Sequence, residues 1–321
     1  MTPHDATSHD TTFQANFFGL IGHRHVLRAA GAFHGNALLL VGPARVGKRL
    51  AARVIAALHN CGTANAPCGS CPSCTASLRG SHPDVLEIEP RATTSTGKAA
   101  RRRLIPVGAI TEKRDDAHEY ERHVIEWLET TPTYRRKTVI VDGAEFLNEE
   151  SANALLKVVE EPPHRALFVF LAEEGAAVLP TIASRSARVN VPPVPDEELR
   201  AALARLGEHD EELLAFAAGR PGIVMEREQA REALADARTL LAALASGMLD
   251  ALQAAEGLEK RFKPQWHPEA LRFLLRAETP QARAAADAAI ERALAALEQY
   301  VSPSLTFQLL ALDLRDALGH A

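Results

Sequence analysis

Ala37-Leu38-Leu39-Leu40-Val41-Gly42-Pro43-Ala44-Arg45-Val46-Gly47-Lys48 is the stretch on which the reading of the fold turns. Five apolar residues in a row read as a buried strand. Gly42 to Lys48 then match G-x-x-x-x-G-K, and Leu50 to His59 carry apolar residues at helical spacing. Strand, glycine-rich turn and helix form the setting in which such a loop cradles a phosphate. The glycines let backbone amides close around the anion, the helix N-terminus favours negative charge, and the lysine reaches the phosphate oxygens. Gly42, Gly47 and Lys48 are therefore candidate nucleotide-site residues.

Outward from this stretch the pattern repeats. Val85–Ile88, Thr138–Val141 and Ala166–Leu171 read as short buried strands. Helical segments are expected over 124–128, ending near Pro132, and over 150–160, stopped by Pro162-Pro163. Near-continuous apolar strands alternating with helices predict a parallel sheet covered on both faces. Val191-Pro192-Pro193-Val194-Pro195 reads as a linker. Beyond it no strand is predicted, and Ala- and Leu-rich helical patterns run through 198–206, 211–218, 229–245, 268–275, 280–300 and 304–318, as in helical bundles. The segment 91–103, with Arg101-Arg102-Arg103, lacks periodicity and reads as a solvated basic loop.

Composition narrows the function. The chain has 321 residues, 46% hydrophobic and 24% charged, enough for two or three domains. A net charge of −5 and 5% aromatics argue against a stand-alone nucleic-acid-binding module, which needs a basic surface to meet phosphates. No apolar run is long enough for a membrane helix. The polar stretch 1–14 lacks the layout of a secretory signal and reads as a frayed tail, so the expected compartment is cytoplasmic.

All four cysteines lie in C-x6-C-x2-C-x2-C, at Cys61, Cys68, Cys71 and Cys74. Such tight spacing in a cytosolic chain predicts a closed, structural Zn2+ site of four thiolates. It follows directly on the helix after the phosphate loop.

That loop is incomplete. Ser or Thr, whose hydroxyl ligates magnesium, belongs after Lys48. Arg49 stands there instead, with a positive charge and no acceptor atom. Asp142, ending its strand, is in place to steady a magnesium ion. The layout resembles AAA+ ATPases, which usually follow this aspartate with a water-polarising Glu. Here the residue is Gly143, and Glu145 is expected to point elsewhere. Two defects predict lost hydrolysis and leave ATP binding in doubt.

Asn153-Ala154-Leu155-Leu156-Lys157-Val158-Val159-Glu160-Glu161-Pro162-Pro163 closely resembles the N-A-L-L-K-x-x-E-E-P-P signature of bacterial clamp-loader subunits. The phosphate loop, the cysteine insertion and Ala183-Ser184-Arg185-Ser186 agree with it in order, the last resembling the family's Ser-Arg-Cys motif. The likeness covers about the first 190 residues, and is of the delta-prime type within the DNA polymerase III clamp loader. It implies an AAA+ α/β domain (1–192, holding the zinc module), a helical lid (193–228) and an all-α collar for oligomerisation (229–321). It implies a non-hydrolysing stator that assembles with delta and the gamma or tau ATPases to load the sliding clamp onto primed DNA. Arg185 would then act in trans as an arginine finger, and Gly219-Arg220-Pro221-Gly222 lies where the lid carries a nucleotide-sensing arginine, although a plain helix-breaking turn reads equally well. The competing expectation, an active gamma/tau-type ATPase, requires Ser or Thr at position 49 and Glu at 143.

Overall fold

The computed structural model describes residues 19–93, 99–113, 120–299 and 301–320. The expected tail at 1–14 lies outside them. The chain divides into two compact units. One holds the described residues up to Glu208 together with Gly219–Pro221, and the other holds His209–Ala218 and the chain from Gly222 onward.

The first unit opens with α1 (Arg24–Gly31), β1 (Ala37–Val41), α2 (Lys48–Asn60), α3 (Pro72–Arg79) and β2 (Val85–Ile88). After β3 (Arg91–Thr93) and β4 (Ala99–Leu104) come α4 (Val124–Glu129), β5 (Thr138–Asp142), α5 (Glu149–Glu160), β6 (Leu167–Ala172), α6 (Pro180–Ala183), β7 (Ala187–Asn190) and α7 (Asp196–Arg205). Five strands form one parallel sheet in the order β2-β5-β6-β1-β7.

Strand parity sorts the core into two layers. Leu39, Val41, Val139, Val141, Phe168 and Phe170 face one side, packing with Leu155 and Val159 of α5 and with Val124 and Leu128 of α4. Leu38, Leu40, Ile140, Val169 and Leu171 face the other, against Val26 and Leu27 of α1 and Val54 and Ile55 of α2. Each such side chain, fully buried, contributes roughly 1.5–3 kcal/mol. The predicted two-faced sheet is therefore present.

The expected loop at 91–103 is different. β3 and β4 pair antiparallel, Arg91 opposite Leu104 and Thr93 opposite Ala99, while 94–98 lie outside the described residues. Arg103 stacks its guanidinium 4.6 Å over the Phe146 ring. A run of arginines carries no alternation, so composition gave no strand signal.

Two buried side chains tie the end of α2 and the start of β2 to the turn before β5. Asn60 Oδ1 accepts from the amides of Arg135 (3.1 Å) and Arg136 (2.9 Å), while its Nδ2 donates to the Ala56 and Arg136 carbonyls at 3.1 and 2.9 Å. Asp84 accepts from the amides of Thr133 (2.8 Å) and Tyr134 (2.6 Å).

The second unit is helical throughout its described residues. It contains α8 (Glu211–Ala217), α9 (Pro221–Met225, from Gly222), α10 (Arg227–Ser246), α11 (Met248–Arg261), α12 (His267–Leu274), α13 (Pro280–Glu298) and α14 (Pro303–Ala317). Leu234, Leu240, Leu244, Leu258, Trp266, Leu271, Ile290, Phe307 and Leu314 are buried. Asp210 caps α8, accepting from the Leu213 amide at 2.9 Å, and is bridged by Arg231 at 3.0 Å. Sequence reading did not single out α11, because Gly257 sits in its interior, where glycine costs about 1 kcal/mol relative to alanine.

Candidate functional site

β5, β6 and β1 end together at one edge of the sheet, the edge where ligands sit in open α/β sheets. The Gly42 amide donates to Ala172 (3.1 Å) and the Gly143 amide to Leu171 (3.0 Å), so the phosphate loop and the Asp142 turn flank the end of β6. Gly42 is obligatory. A Cβ there would lie 2.0 Å from the Val191 carbonyl oxygen. Gly47 has φ +107° and opens α2 without a side-chain cap.

Lys48 is buried and points into its own loop. Its Nζ donates to the carbonyls of Gly42 (2.6 Å) and Pro43 (2.8 Å). Burial pushes this ammonium's pKa down, against the pull of Glu173, Asp142 and Glu145.

Arg49 explains the missing hydroxyl in structural terms. Its Nε donates to Asp142 Oδ2 at 2.5 Å, and its Nη2 to Glu89. Despite the opposing effect of burial, these carboxylates raise the guanidinium pKa. The carboxylate expected to steady magnesium is thus already bound to a cation of the chain itself. Gly143 has φ +87°, and a Cβ on it would lie 2.6 Å from the Phe146 ring, so the turn has no room for a larger residue in this conformation. Glu145 is not directed away. One carboxylate oxygen accepts from the Glu173 amide at 3.1 Å, the other is buried without a partner, and the group lies close enough to Lys48 to act on its pKa. A 3-10 turn over Ala144–Phe146, invisible in sequence spacing, brings it back. With no hydroxyl at position 49 and Asp142 taken, these residues do not fit a magnesium–nucleotide.

His23 escaped sequence reading. It sits in the left-handed region (φ 61°), is buried, and its Nε2 donates to the Val46 carbonyl at 2.8 Å, closing over the phosphate loop. Burial, against the Val46 hydrogen bond, lowers its pKa. Its only sequence signal is the Gly22-His23 pair just before α1, a turn-like dipeptide.

The sulfur atoms of Cys61, Cys68, Cys71 and Cys74 lie within 4.8 Å of one another. Sulfurs around a tetrahedral zinc at 2.3 Å stand about 3.8 Å apart, so a small closure brings all four to bonding range. Backbone amides already point at the sulfurs: Cys68 N to Cys61 Sγ (3.4 Å), Cys71 N to Cys68 Sγ (3.3 Å) and Cys74 N to Cys71 Sγ (3.4 Å). Amides of Ser70 and Cys71 lower the Cys68 thiol to about 5, whereas burial pushes Cys74 up. Four converging thiols, with amides arranged to support thiolate charge, fit a metal ion. Cys61 ends α2 and Cys71 caps α3, so the cluster fastens these two helices.

Arg185 follows α6 on the surface. Its Nε donates to Glu160 Oε1 at 2.5 Å, and its Nη1 to the Thr181 carbonyl (3.1 Å) and Ser184 Oγ (3.4 Å). The two motifs read separately in the sequence meet at this ion pair. They meet away from any contact with Lys48 or Asp142 that the structure records. Gly219 takes φ +76°, and its carbonyl accepts from the Val194 amide at 2.7 Å; Gly219 and Arg220 lie between α8 and α9, whose first turn holds Pro221 and Gly222.

The sequence model of the family described as "DNA polymerase III, delta subunit" matches residues 29–195, just over half of the chain. A DNA polymerase III subunit gamma/tau from Mycobacterium tuberculosis is 34% identical over 205 residues, covering 61% of this chain and 32% of that protein. A DNA polymerase III subunit delta' from Pseudomonas aeruginosa is 31% identical over 205 residues, covering 59% and 55%. The matches thus span about a third to a half of these relatives. Among solved structures, a DNA polymerase III gamma subunit-related protein from Thermotoga maritima superposes with a TM-score of 0.52 at 19% identity, covering 91% of this chain and 98% of that one, a likeness of fold. With its parallel sheet, its phosphate loop and its matched span, the chain belongs to the family of DNA polymerase III delta-prime and gamma/tau clamp-loader subunits.

Proposed function

We propose that this chain is a non-hydrolysing, delta-prime-type subunit of a DNA polymerase III clamp loader. One observation carries the choice against an active gamma/tau-type ATPase: Arg49 holds Asp142 at 2.5 Å, in the place of the magnesium that hydrolysis requires. Gly42, Gly47, Lys48 and Asp142 then form a nucleotide site in outline only, retained for the shape of the sheet edge. The chain assembles in the cytoplasm with delta and with gamma or tau, and takes part in loading the sliding clamp onto primed DNA. Its sheet domain is followed by a helical lid over 193–228 and a collar over 229–321 that joins the ring. The four cysteines hold a structural Zn2+.

Arg185 is the group this subunit lends to its neighbour. A guanidinium brought to an adjacent ATP site stabilises the charge that spreads over the transferring phosphoryl oxygens, an effect worth about 10³–10⁵ in rate where it is known. Its place on an exposed turn supports this role. The test is magnesium-ATP turnover by the purified chain, alone and mixed with delta and gamma or tau. No turnover alone, with turnover in the mixture that falls on Arg185→Ala, is the expected result. Robust turnover by the chain alone would overturn the assignment in favour of the ATPase.

A further inference from the structure

Glu160 is the second feature of the Arg185 turn, and it has no other evident task. It ends α5, where the helix dipole disfavours a carboxylate. No pair with Lys157, one turn back, is found among the described residues. Its charge is answered instead by Arg185, from a separate element, through Nε at 2.5 Å. The platform beneath it is fixed: the Glu160 carbonyl accepts from Asn36 Nδ2 at 3.0 Å, and Pro162 and Pro163 forbid the helix to continue.

The geometry of the guanidinium is specific. Nε is held by Glu160, and Nη1 by Thr181 and Ser184, whereas Nη2 meets no partner among the described residues. Contacts at two of its three nitrogens fix the plane of the guanidinium and leave the Nη2 hydrogens for an incoming acceptor. A free arginine carries several rotamers and would lose that freedom on meeting a phosphate. Here the loss is already made within the chain.

Resting on the reading of Arg185 as a finger, we propose that Glu160 is a positioning residue that pre-orients the Arg185 guanidinium, so that its Nη2 group meets the phosphoryl oxygens of a nucleoside triphosphate bound by the adjacent subunit. Glu160 itself touches no substrate. A hydrogen-bond acceptor matters more than its charge, because a carboxylate partly offsets the positive charge that the transition state uses.

The test uses the assembled complex with Arg185→Ala, Glu160→Ala, Glu160→Gln and the Glu160→Ala/Arg185→Ala double variant, each checked for assembly by gel filtration. Glu160→Ala is expected to lower the kcat for ATP about 10-fold with little change in KM, the scale of loss when a reacting group is misaligned. Glu160→Gln, which keeps an acceptor, should restore most of the rate. The double variant should be no slower than Arg185→Ala alone. In the isolated chain, the Arg185 Nε–H resonance should be protected from solvent exchange, and lose that protection in Glu160→Ala. Additive losses, an undiminished Glu160→Ala, or a Glu160→Gln as slow as Glu160→Ala would overturn the positioning role while leaving the finger intact. Undiminished turnover in Arg185→Ala would overturn both. A Glu160→Ala chain that fails to assemble leaves the Nε–H measurement and Glu160→Gln to decide.

Discussion

Removing the guanidinium of Arg49 should uncover the energy of the cation built into the phosphate-loop site. Arg49→Ala strips Asp142 and Glu89 of their partner at once. A unit pair at about 4 Å interacts by about 4 kcal/mol at an effective dielectric of about 20. That is a ceiling, because the Arg49 and Asp142 side chains are 44% and 29% exposed. Pairs in water fall to about 0.2–1 kcal/mol. The half-buried geometry at 2.5 Å places the Arg49–Asp142 coupling near the top of that range, about 1 kcal/mol, and Glu89, 62% exposed, adds less. The assay is a double-mutant cycle of Arg49→Ala and Asp142→Ala by urea titration. Trp127 serves as the sole tryptophan in a Trp266→Phe background, so that only the sheet unit is followed. Raising the salt from about 0.05 to about 0.5 M should shrink the coupling, since the Debye length falls well below 10 Å. A coupling under about 0.3 kcal/mol, or one indifferent to salt, would refute the idea that Arg49 acts as a resident counter-cation.

The remaining predictions address the other features. Protein purified without added metal should contain about one zinc per chain by elemental analysis, the stoichiometry of a closed four-ligand site, and Cys74→Ser should lose the metal and unfold at lower urea. Asp210 is the pH-sensitive cap of the helical unit: burial alone would raise its pKa, but the Leu213 amide and Arg231 hold it below the ordinary value. A depressed folded-state pKa contributes stability above the unfolded value of about 3.9 that is lost as pH falls through the folded one. Urea midpoints followed at Trp266 should therefore drop less on acidification in Asp210→Asn than in the native chain. Restoring the two residues that hydrolysis lacks, as Arg49→Thr with Gly143→Glu, should give no ATP turnover by phosphate release. The φ of +87° and the 2.6 Å approach to Phe146 should cost about 1–3 kcal/mol and move the new carboxylate off line.

Much of the site could be read from the chain because its signals are local. Gly42 to Lys48, the strand ending in Asp142 and the fourteen positions spanning the cysteines each fit within one element or turn, and each lies where expected. Arg49 was legible as a defect but not as a bond, since its partner is 93 residues away. The same holds for Arg185 and Glu160, which belong to two separate motifs until α5 and α6 meet. β7 escaped notice because an edge strand with mostly exposed side chains carries no apolar run. α3 escaped because its Cys- and Ser-rich sequence reads as metal ligands before it reads as a helix. His23 was missed because a left-handed backbone at a histidine has no signature in composition.

The anchoring of Asn60 and Asp84 bears on the order of events during folding. The cysteines can gather within a loop so short that closing it takes little entropy. Their fastening to the sheet is another matter, because Asn60 bonds residues 75 and 76 positions away and Asp84 residues 49 and 50 away. Such distant pairings form late, after slower loop closures. A nascent chain that has emerged only as far as the four cysteines therefore carries a local cluster with an open seam behind it, and the amides of 133–136 are the segment whose arrival closes it.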